Sequence, residues 1–237
     1  MVRIAAKTHT GLVRENNQDS LCYGESSLGT YLIIADGMGG HNCGEHASKL
    51  AVSLLKEKLI NSEIIQLKTS IAQVNEEIYQ FSEKNETCKG MGTTLTVALV
   101  RNGVLNLGHV GDSRAYVLRD NELCQLTTDH SFVQGLLDNG QITQEEAENH
   151  PQKNILTQAL GTSPDVEIQS LSQKLEPNDI ILLCTDGLTN LVTNDEISQV
   201  LQENTVEDSA EALLEKALER GATDNITMII AMIEEVN

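Results

Sequence analysis

Apolar positions along the 237-residue chain follow two periodicities that alternate in blocks. Strand-like runs come first, at residues 2–8 and 20–24 and then at 31–35, where Tyr31-Leu-Ile-Ile-Ala35 ends on Asp36-Gly37. Two helices are predicted next. Ala47, Leu50, Ala51, Leu54, Leu55 and Leu59 recur at three- and four-residue intervals, as do Ile64, Leu67, Ile71, Val74, Ile78 and Phe81, so each segment presents one apolar face. Strands resume at 93–101, 104–110 and 114–118, and the Asn102-Gly103 dipeptide between the first two predicts a hairpin turn of the primed type.

From 127 to 162 the pattern changes to short helical pieces. One covers 132–139 and is stopped by Gly140; the other covers 143–149, opened by a Thr143-x-x-Glu146 capping box and stopped before Pro151. This segment reads as an insertion or flap. Strands at 166–171 and 179–185, helices at 193–203 and 206–219, and a last strand at 226–233 complete the pattern. The final helix again has an apolar face, built from Val206, Ala210, Leu213, Leu214, Ala217 and Leu218. Strand runs separated by helix pairs favour an α+β layered fold with antiparallel sheets flanked by helices over a doubly wound parallel sheet. No linker-like tract, repeat or low-complexity stretch divides the chain, so one domain spanning 1–237 is expected.

Composition narrows the function. Sixteen basic against 35 acidic residues give a formal net charge of −19, which repels nucleic acid and anionic membrane surfaces alike. The longest apolar runs fall far short of the ~20 residues of a membrane span, and the amino terminus lacks a signal-peptide stretch, so a cytoplasmic protein is expected. Cys22, Cys43, Cys88, Cys124 and Cys184 are odd in number, scattered and free of any C-x-x-C pair; they are expected to be reduced, buried thiols.

The chemistry is suggested by where the aspartates fall. Asp36 and Asp186 each end an apolar run and precede a glycine; Asp112 follows Gly111 after the 104–110 strand; Asp224 stands just before the 226–233 strand. An Asp-Gly at a strand end is also an ordinary turn, but two near-identical contexts weaken that reading. If these ends converge, the carboxylates repel one another and lose hydration, at a cost of several kcal/mol per buried ion unless a cation compensates. Oxygen donors without a Cys or His cluster select Mg²⁺ or Mn²⁺. Two such ions about 3.5–4 Å apart can share a carboxylate and a water and lower that water's pKa, which implies metal-assisted hydrolysis.

Six motifs then occur in order: Arg14-Glu-Asn-Asn-Gln-Asp19, ADGMGGH from Ala35 to His41, GTT from Gly92 to Thr94, VGDSRAY from Val110 to Tyr116, CTDGLTN from Cys184 to Asn190 and ATDNIT from Ala222 to Thr227. With the HPxxNxLTxALG stretch from His150 to Gly161, they resemble the protein phosphatase 2C family of metal-dependent serine/threonine phosphatases, in its compact bacterial form, over essentially the whole chain. The resemblance implies a four-layer sandwich, two central antiparallel sheets flanked by helix pairs, with metals in a cleft between the sheet edges. It implies hydrolysis of phosphoserine and phosphothreonine in proteins by a metal-bridging hydroxide attacking in line, without a phosphoenzyme.

By motif match, Asp36 bridges two core Mn²⁺ or Mg²⁺ ions, the Gly37 carbonyl binds one, and Asp186 and Asp224 complete the other. Asp112, with Asp186, serves a third ion. Asp19 holds water behind them, and Asn190 occupies a position often acidic in the family. Arg14 matches the phosphate-binding arginine, a role suited to a planar guanidinium that grips two oxygens at once. Met38 stands where eukaryotic members carry a histidine; His41 is the candidate acid in its place, with a structural role at the next helix start as the alternative. His46, His109, His130 and His150 are expected to be structural or flap residues. The implied partners are phosphorylated Ser/Thr proteins and an opposing Ser/Thr kinase, with a monomer as the default. A catalytically silent phosphoprotein-binding module and a small-metabolite phosphoesterase remain the rival readings.

Overall fold

The computed structural model describes residues 2–39, 43–64 and 66–235. Its strands are β1 (Val2–His9), β2 (Asp19–Ser26), β3 (Gly29–Met38), β4 (Gly92–Thr93), β5 (Leu95–Arg101), β6 (Val104–Val110), β7 (Arg114–Arg119), β8 (Glu122–Gln125), β9 (Gln169–Lys174), β10 (Ile180–Cys184) and β11 (Ile226–Ile233). The helices are α1 (Cys43–Asn61), α2 (Leu67–Lys84), α3 (Phe132–Asp138), α4 (Gln144–Glu148), α5 (Asp186–Thr189), α6 (Asn194–Glu203) and α7 (Val206–Glu219), with a single 3₁₀ turn at Glu86–Cys88. One sheet runs β1-β11-β10-β7-β8 and the other β2-β3-β5-β6-β9, with β4 added to β3; every pairing is antiparallel.

The near-continuous apolar strands reflect burial on both faces, because alternate side chains of one strand enter different layers. On β3, Leu32 and Ile34 face the other sheet while Ile33 and Ala35 face α1 and α2. On β10, Ile181 and Leu183 face the other sheet while Leu182 and Cys184 face α6 and α7. Ile229 and Ala231 against Met228 and Ile230 repeat the division on β11. Three apolar layers therefore lie between four layers of secondary structure, as expected, and the helix stripes of α1, α2 and α7 supply the outer two.

The hairpin at Asn102-Gly103 joins β5 to β6 with φ values of 50° and 68°, the positive pair that a type I′ turn requires. The predicted Thr143–Glu146 capping box opens α4, and an equivalent Thr193–Glu196 box opens α6. Some boundaries differ from expectation. Ile64 does not belong to α2, which starts at Leu67, and its side chain is 86% exposed although it continues the apolar period. The strand expected from 166 begins at Gln169. The short edge strand β8 and the one-turn helix α5 carry too few apolar residues to show a period.

The cysteines need a larger correction. Cys43 at the start of α1 and Cys88 in the 3₁₀ turn form a disulfide, with Cα atoms 5.4 Å apart across a sequence separation of 45, whereas Cys22, Cys124 and Cys184 are free thiols. Irregular spacing concealed the pair because packing of the segment after α2 against the start of α1, and not sequence proximity, brings the two together.

The flap, carrying α3 and α4, leaves the sheets after β8 and returns before β9. Its return is tied to the helical layer by buried Asn75 of α2, whose Nδ2 donates to the Ser163 and Pro164 carbonyls, both at 3.0 Å, and whose Oδ1 accepts from the Gly161 N–H at 2.8 Å. Thr93 and Leu160 exchange backbone hydrogen bonds beside this anchor. Asn75→Ala strands three backbone groups at once and should lower stability by about 2–3 kcal/mol in urea unfolding; a loss below about 0.5 kcal/mol would show that the return is held by other contacts.

Candidate active site

The ends of the two sheets supply the acidic residues from opposite sides. Asp36 lies near the end of β3 and Asp19 opens β2, where the two are register partners. Asp186 follows β10 and Asp224 precedes β11 in the other sheet, and Asp112 occupies the loop by which the chain passes from β6 to β7. Asp36, Asp112, Asp186 and Asp224 line one cleft of about 870 Å³, with Arg14, Gly37, Met38 and Leu156 among the other lining residues. The structure thus brings together every strand-end carboxylate singled out in the sequence. His41 lies outside the described residues.

Local packing explains why glycine follows Asp36. A Cβ on Gly37 would lie 2.1 Å from the Gly44 carbonyl oxygen and 2.6 Å from that of Gln18, so only glycine allows α1 and the 14–19 loop to close on this strand end. The Gly37 N–H donates to the Gln18 carbonyl at 3.1 Å, holding that loop, and with it Arg14, beside the cleft. Asn225 secures the same loop from the other side. Its Nδ2 donates to the carbonyls of Thr10 and Asn16 at 2.8 and 3.0 Å, and its Oδ1 accepts from the Gln18 N–H at 2.8 Å.

Charge is unbalanced at the centre. Burial, reinforced by Asp19, Asp186 and Asp112, pushes the Asp36 carboxyl well above the ordinary range. Burial and then Asp186 do the same to Asp112, and burial and then Asp224 raise Asp186. Asp19, 7% exposed, is pushed up to about 7 by burial, against the stabilising hydroxyls of Thr227 and Thr185. Thr185 Oγ1 donates to Asp19 Oδ2 at 2.9 Å, while Asp19 Oδ1 and Asp186 Oδ1 are buried without a hydrogen-bond partner. Asn190 donates to Asp186 Oδ2 at 3.0 Å, on the side where Asp112 and Asp186 also line a second, polar cavity beside the flap.

The nearby cations are engaged. Arg14 Nη2 donates to Asp224 Oδ2 at 2.8 Å, and that bond and the Asp224 charge raise the guanidinium pKa. Arg114, two residues after Asp112, is bidentate on Asp129 at the base of the flap, at 2.7–3.0 Å. Thr185, Thr227, Asn225 and Asp129 escaped notice as site-builders in the sequence; the first three lie inside the motif strings, and their roles emerge only from long-range bonds.

Among the described residues, no three His, Cys, Asp or Glu side chains already close around a single point. The carboxylates line a cleft and do not form a cage. Oxygen-only donors, two of them buried and unpartnered, fit hard divalent cations that keep several waters.

Four α/β/β/α layers with strand-end carboxylates in a cleft between the sheets define a class, the layered hydrolases that work through divalent metal ions. Within that class the chain belongs to the protein phosphatase 2C family, whose pattern matches residues 9–224. It is 40% identical over 234 residues to serine/threonine phosphatase stp of Listeria monocytogenes serotype 4b (strain F2365), covering 94% of this chain and 93% of that protein. The crystal structure of serine/threonine phosphatase Stp1 from Staphylococcus aureus superposes with a TM-score of 0.94 at 38% identity, over 99% of this chain and 96% of that one. The catalytic domain of serine/threonine protein phosphatase PstP, crystallised with two manganese ions, matches with a TM-score of 0.89 at 38% identity over 99% of both chains.

The raised carboxyls have a consequence for stability. Between the ordinary value of 3.8 and about 7, folded Asp19 keeps a proton that the unfolded chain has released. The folded state then binds more protons, so stability is greatest at the acid end and falls as pH rises through that window. Chelator-treated protein should lose roughly 1–4 kcal/mol of urea stability between pH 5 and 7.5, and Asp19→Asn should lose distinctly less. Equal slopes in the two proteins would show that Asp19 is not a source of the effect.

Proposed function

We propose that this chain is a metal-dependent protein phosphatase that hydrolyses phosphoserine and phosphothreonine in proteins. The observation that carries the reading is the convergence of Asp36, Asp112, Asp186 and Asp224 on one cleft with Arg14 in its wall. When bound, two Mn²⁺ or Mg²⁺ ions supply Lewis-acid activation of water and neutralise phosphate charge. Asp36, between the two sheet ends, would hold both; the Gly37 carbonyl would serve one, and Asp186 and Asp224 the other. Asp112 and Asp186 would hold a third.

The chain's own groups divide the remaining work. Asp19, held by Thr185, stands behind the cleft as an acceptor for water. Asn190 steadies Asp186. Arg14 has further donors beside the one engaged by Asp224, and so can bridge that carboxylate and an arriving phosphoryl oxygen. In this reading water is the nucleophile and the phosphoryl group passes to it directly, without a phosphoenzyme. Arg14 then stabilises charge on the transferring group.

The flap stands beside a second cavity of about 550 Å³ lined by Gln134, Lys153, Asn154 and Asn190, a polar surface suited to polypeptide next to the phosphate site. Phosphorylated Ser/Thr proteins are the substrates this reading implies, an opposing Ser/Thr kinase the partner, and a monomer the working form. The proposed location is the cytoplasm. No helix among the described residues is long and apolar enough to cross a membrane.

Phosphate release from a phosphothreonine peptide should appear with Mn²⁺ or Mg²⁺, vanish with excess chelator, and exceed release from free phosphorylated metabolites. Turnover indifferent to chelator would overturn the metal role, and a preference for metabolites the substrate class. Asp36→Asn should abolish turnover in a folded protein, whereas Asp112→Ala should keep the core ions and lose much of the activity; calorimetry with Mn²⁺ separates the two. Arg14→Ala should raise KM about 10–100-fold, the loss of a charge-assisted contact to phosphate, and an unchanged KM would remove Arg14 from substrate binding.

A further inference from the structure

Two hydroxyls sit between the end of β3, which carries Asp36, and the loop that carries Asp112. Thr94, at the junction of β4 and β5, is 1% exposed, and Ser113, next to Asp112, is fully buried. Their oxygens are 2.7 Å apart. On one side, the Asp36 N–H donates to Thr94 Oγ1 and the Thr94 N–H donates to the Asp36 carbonyl, both at 2.8 Å, so Thr94 grips the backbone of Asp36 in both directions. On the other, the Ser113 carbonyl accepts from Thr96 Oγ1 at 3.3 Å, and that oxygen lies 2.9 Å from Nδ1 of buried His109. Gly111 completes the seat: at φ +107°, a Cβ there would fall 2.5 Å from Thr94 Cγ2, so the Asp112 loop rests directly on Thr94.

Packing alone does not call for this chemistry. The Thr94 hydroxyl also serves the Asp36 N–H, but Ser113 Oγ is answered by Thr94 alone, and an apolar side chain of similar shape at 113 would fill the space about as well. What the pair adds is direction and a fixed separation. Asp36 stands near the end of β3 and Asp112 in the loop after β6, and the Asp112 charge raises the cost of ionising Asp36, so their spacing needs a tie that ordinary strand pairing does not provide: Thr94 lies in the break between β4 and β5, and Ser113 lies in a loop.

We propose that Thr94 and Ser113 are positioning residues whose hydroxyl–hydroxyl bond sets the place of Asp112 relative to Asp36, and thereby the affinity of the Asp112–Asp186 ion position relative to the core pair. The inference rests on the phosphatase reading above, because it takes these carboxylates as ion ligands. Neither hydroxyl touches substrate in this role.

Calorimetry with Mn²⁺ on the full chain tests it, comparing wild type with Ser113→Ala, Thr94→Val, Thr94→Ser and the Ser113→Ala/Thr94→Val double variant. Ser113→Ala should leave the tighter core binding within about threefold of wild type and weaken the third, weaker event about tenfold, the size of one buried hydrogen bond. Thr94→Ser, which keeps the hydroxyl, should bind the third ion as wild type does. The double variant should be no weaker at that position than Thr94→Val, because both single changes cut the same bond. Third-ion affinity in Ser113→Ala within twofold of wild type, failure of Thr94→Ser to rescue, or additive losses in the double variant would each overturn the proposal. If Thr94→Val does not fold, Ser113→Ala against wild type and Thr94→Ser decides alone. A wild-type chain that takes up no Mn²⁺ would overturn the phosphatase reading itself, whereas normal uptake with an unchanged Ser113→Ala overturns only this inference.

Discussion

Mutual repulsion among aspartates gathered at one end of the sandwich is the constraint around which the rest of the molecule is organised. Asp19 and Asp36 arrive from one sheet, Asp186 and Asp224 from the other, and Asp112 from the loop between them. Burial and mutual charge raise the carboxyl pKa values of Asp36, Asp112 and Asp186, a state that an isolated protein tolerates only because three apolar layers and two ordered sheets hold the strands in place. The same unfavourable energy is what a pair of divalent cations would relieve. Binding power at such a site comes from having assembled the ligands in advance, against their repulsion, during folding.

The scarcity of positive charge nearby follows the same logic. Arg114 is committed to Asp129 by a bidentate bond, where burial opposes its charge but the carboxylate outweighs that cost, and so it ties the base of the flap to the strand after Asp112. Arg14, more exposed and held by a single bond to Asp224, is, among the described residues, the cation in the cleft wall able to turn towards an incoming anion. With a formal charge of −19 over the whole chain, attraction of a phosphoprotein depends on this small positive locus and on bound ions. Strand ends and one loop carry the carboxylates, while the flap borders the surface a substrate polypeptide would follow.

Neutral groups do much of the alignment. Thr185 fixes Asp19, Asn190 fixes Asp186, Asn225 holds the loop bearing Arg14, and Thr94 with Ser113 links the strand end of Asp36 to the loop of Asp112. Hydroxyl and amide side chains suit this work because they supply directional bonds without adding charge to a site already short of compensation. Gly37 and Gly111 contribute by having no side chain, letting backbone segments approach more closely than a Cβ would permit.

Much of this was legible in the linear pattern, for reasons that are local. Helices α1 and α7 and strands β6 and β11 follow from periodicity because one or both of their faces are buried along their length, and the Asn102-Gly103 turn and the Thr143 capping box are written in adjacent residues. Asp36 and Asp186 stood out because each ends an apolar run before a glycine. Ile64, by contrast, continues a helical period and yet lies exposed before α2 begins, since periodicity does not say where a helix must start. The Cys43–Cys88 disulfide and the Thr94–Ser113 bond depend on segments 45 and 19 residues apart being packed side by side. Residue types and their periods are local properties and determined the layers and the acidic motifs; pairing between distant side chains is decided by the packing of whole layers, and only the tertiary structure could settle which cysteines join and which hydroxyls hold the carboxylates in place.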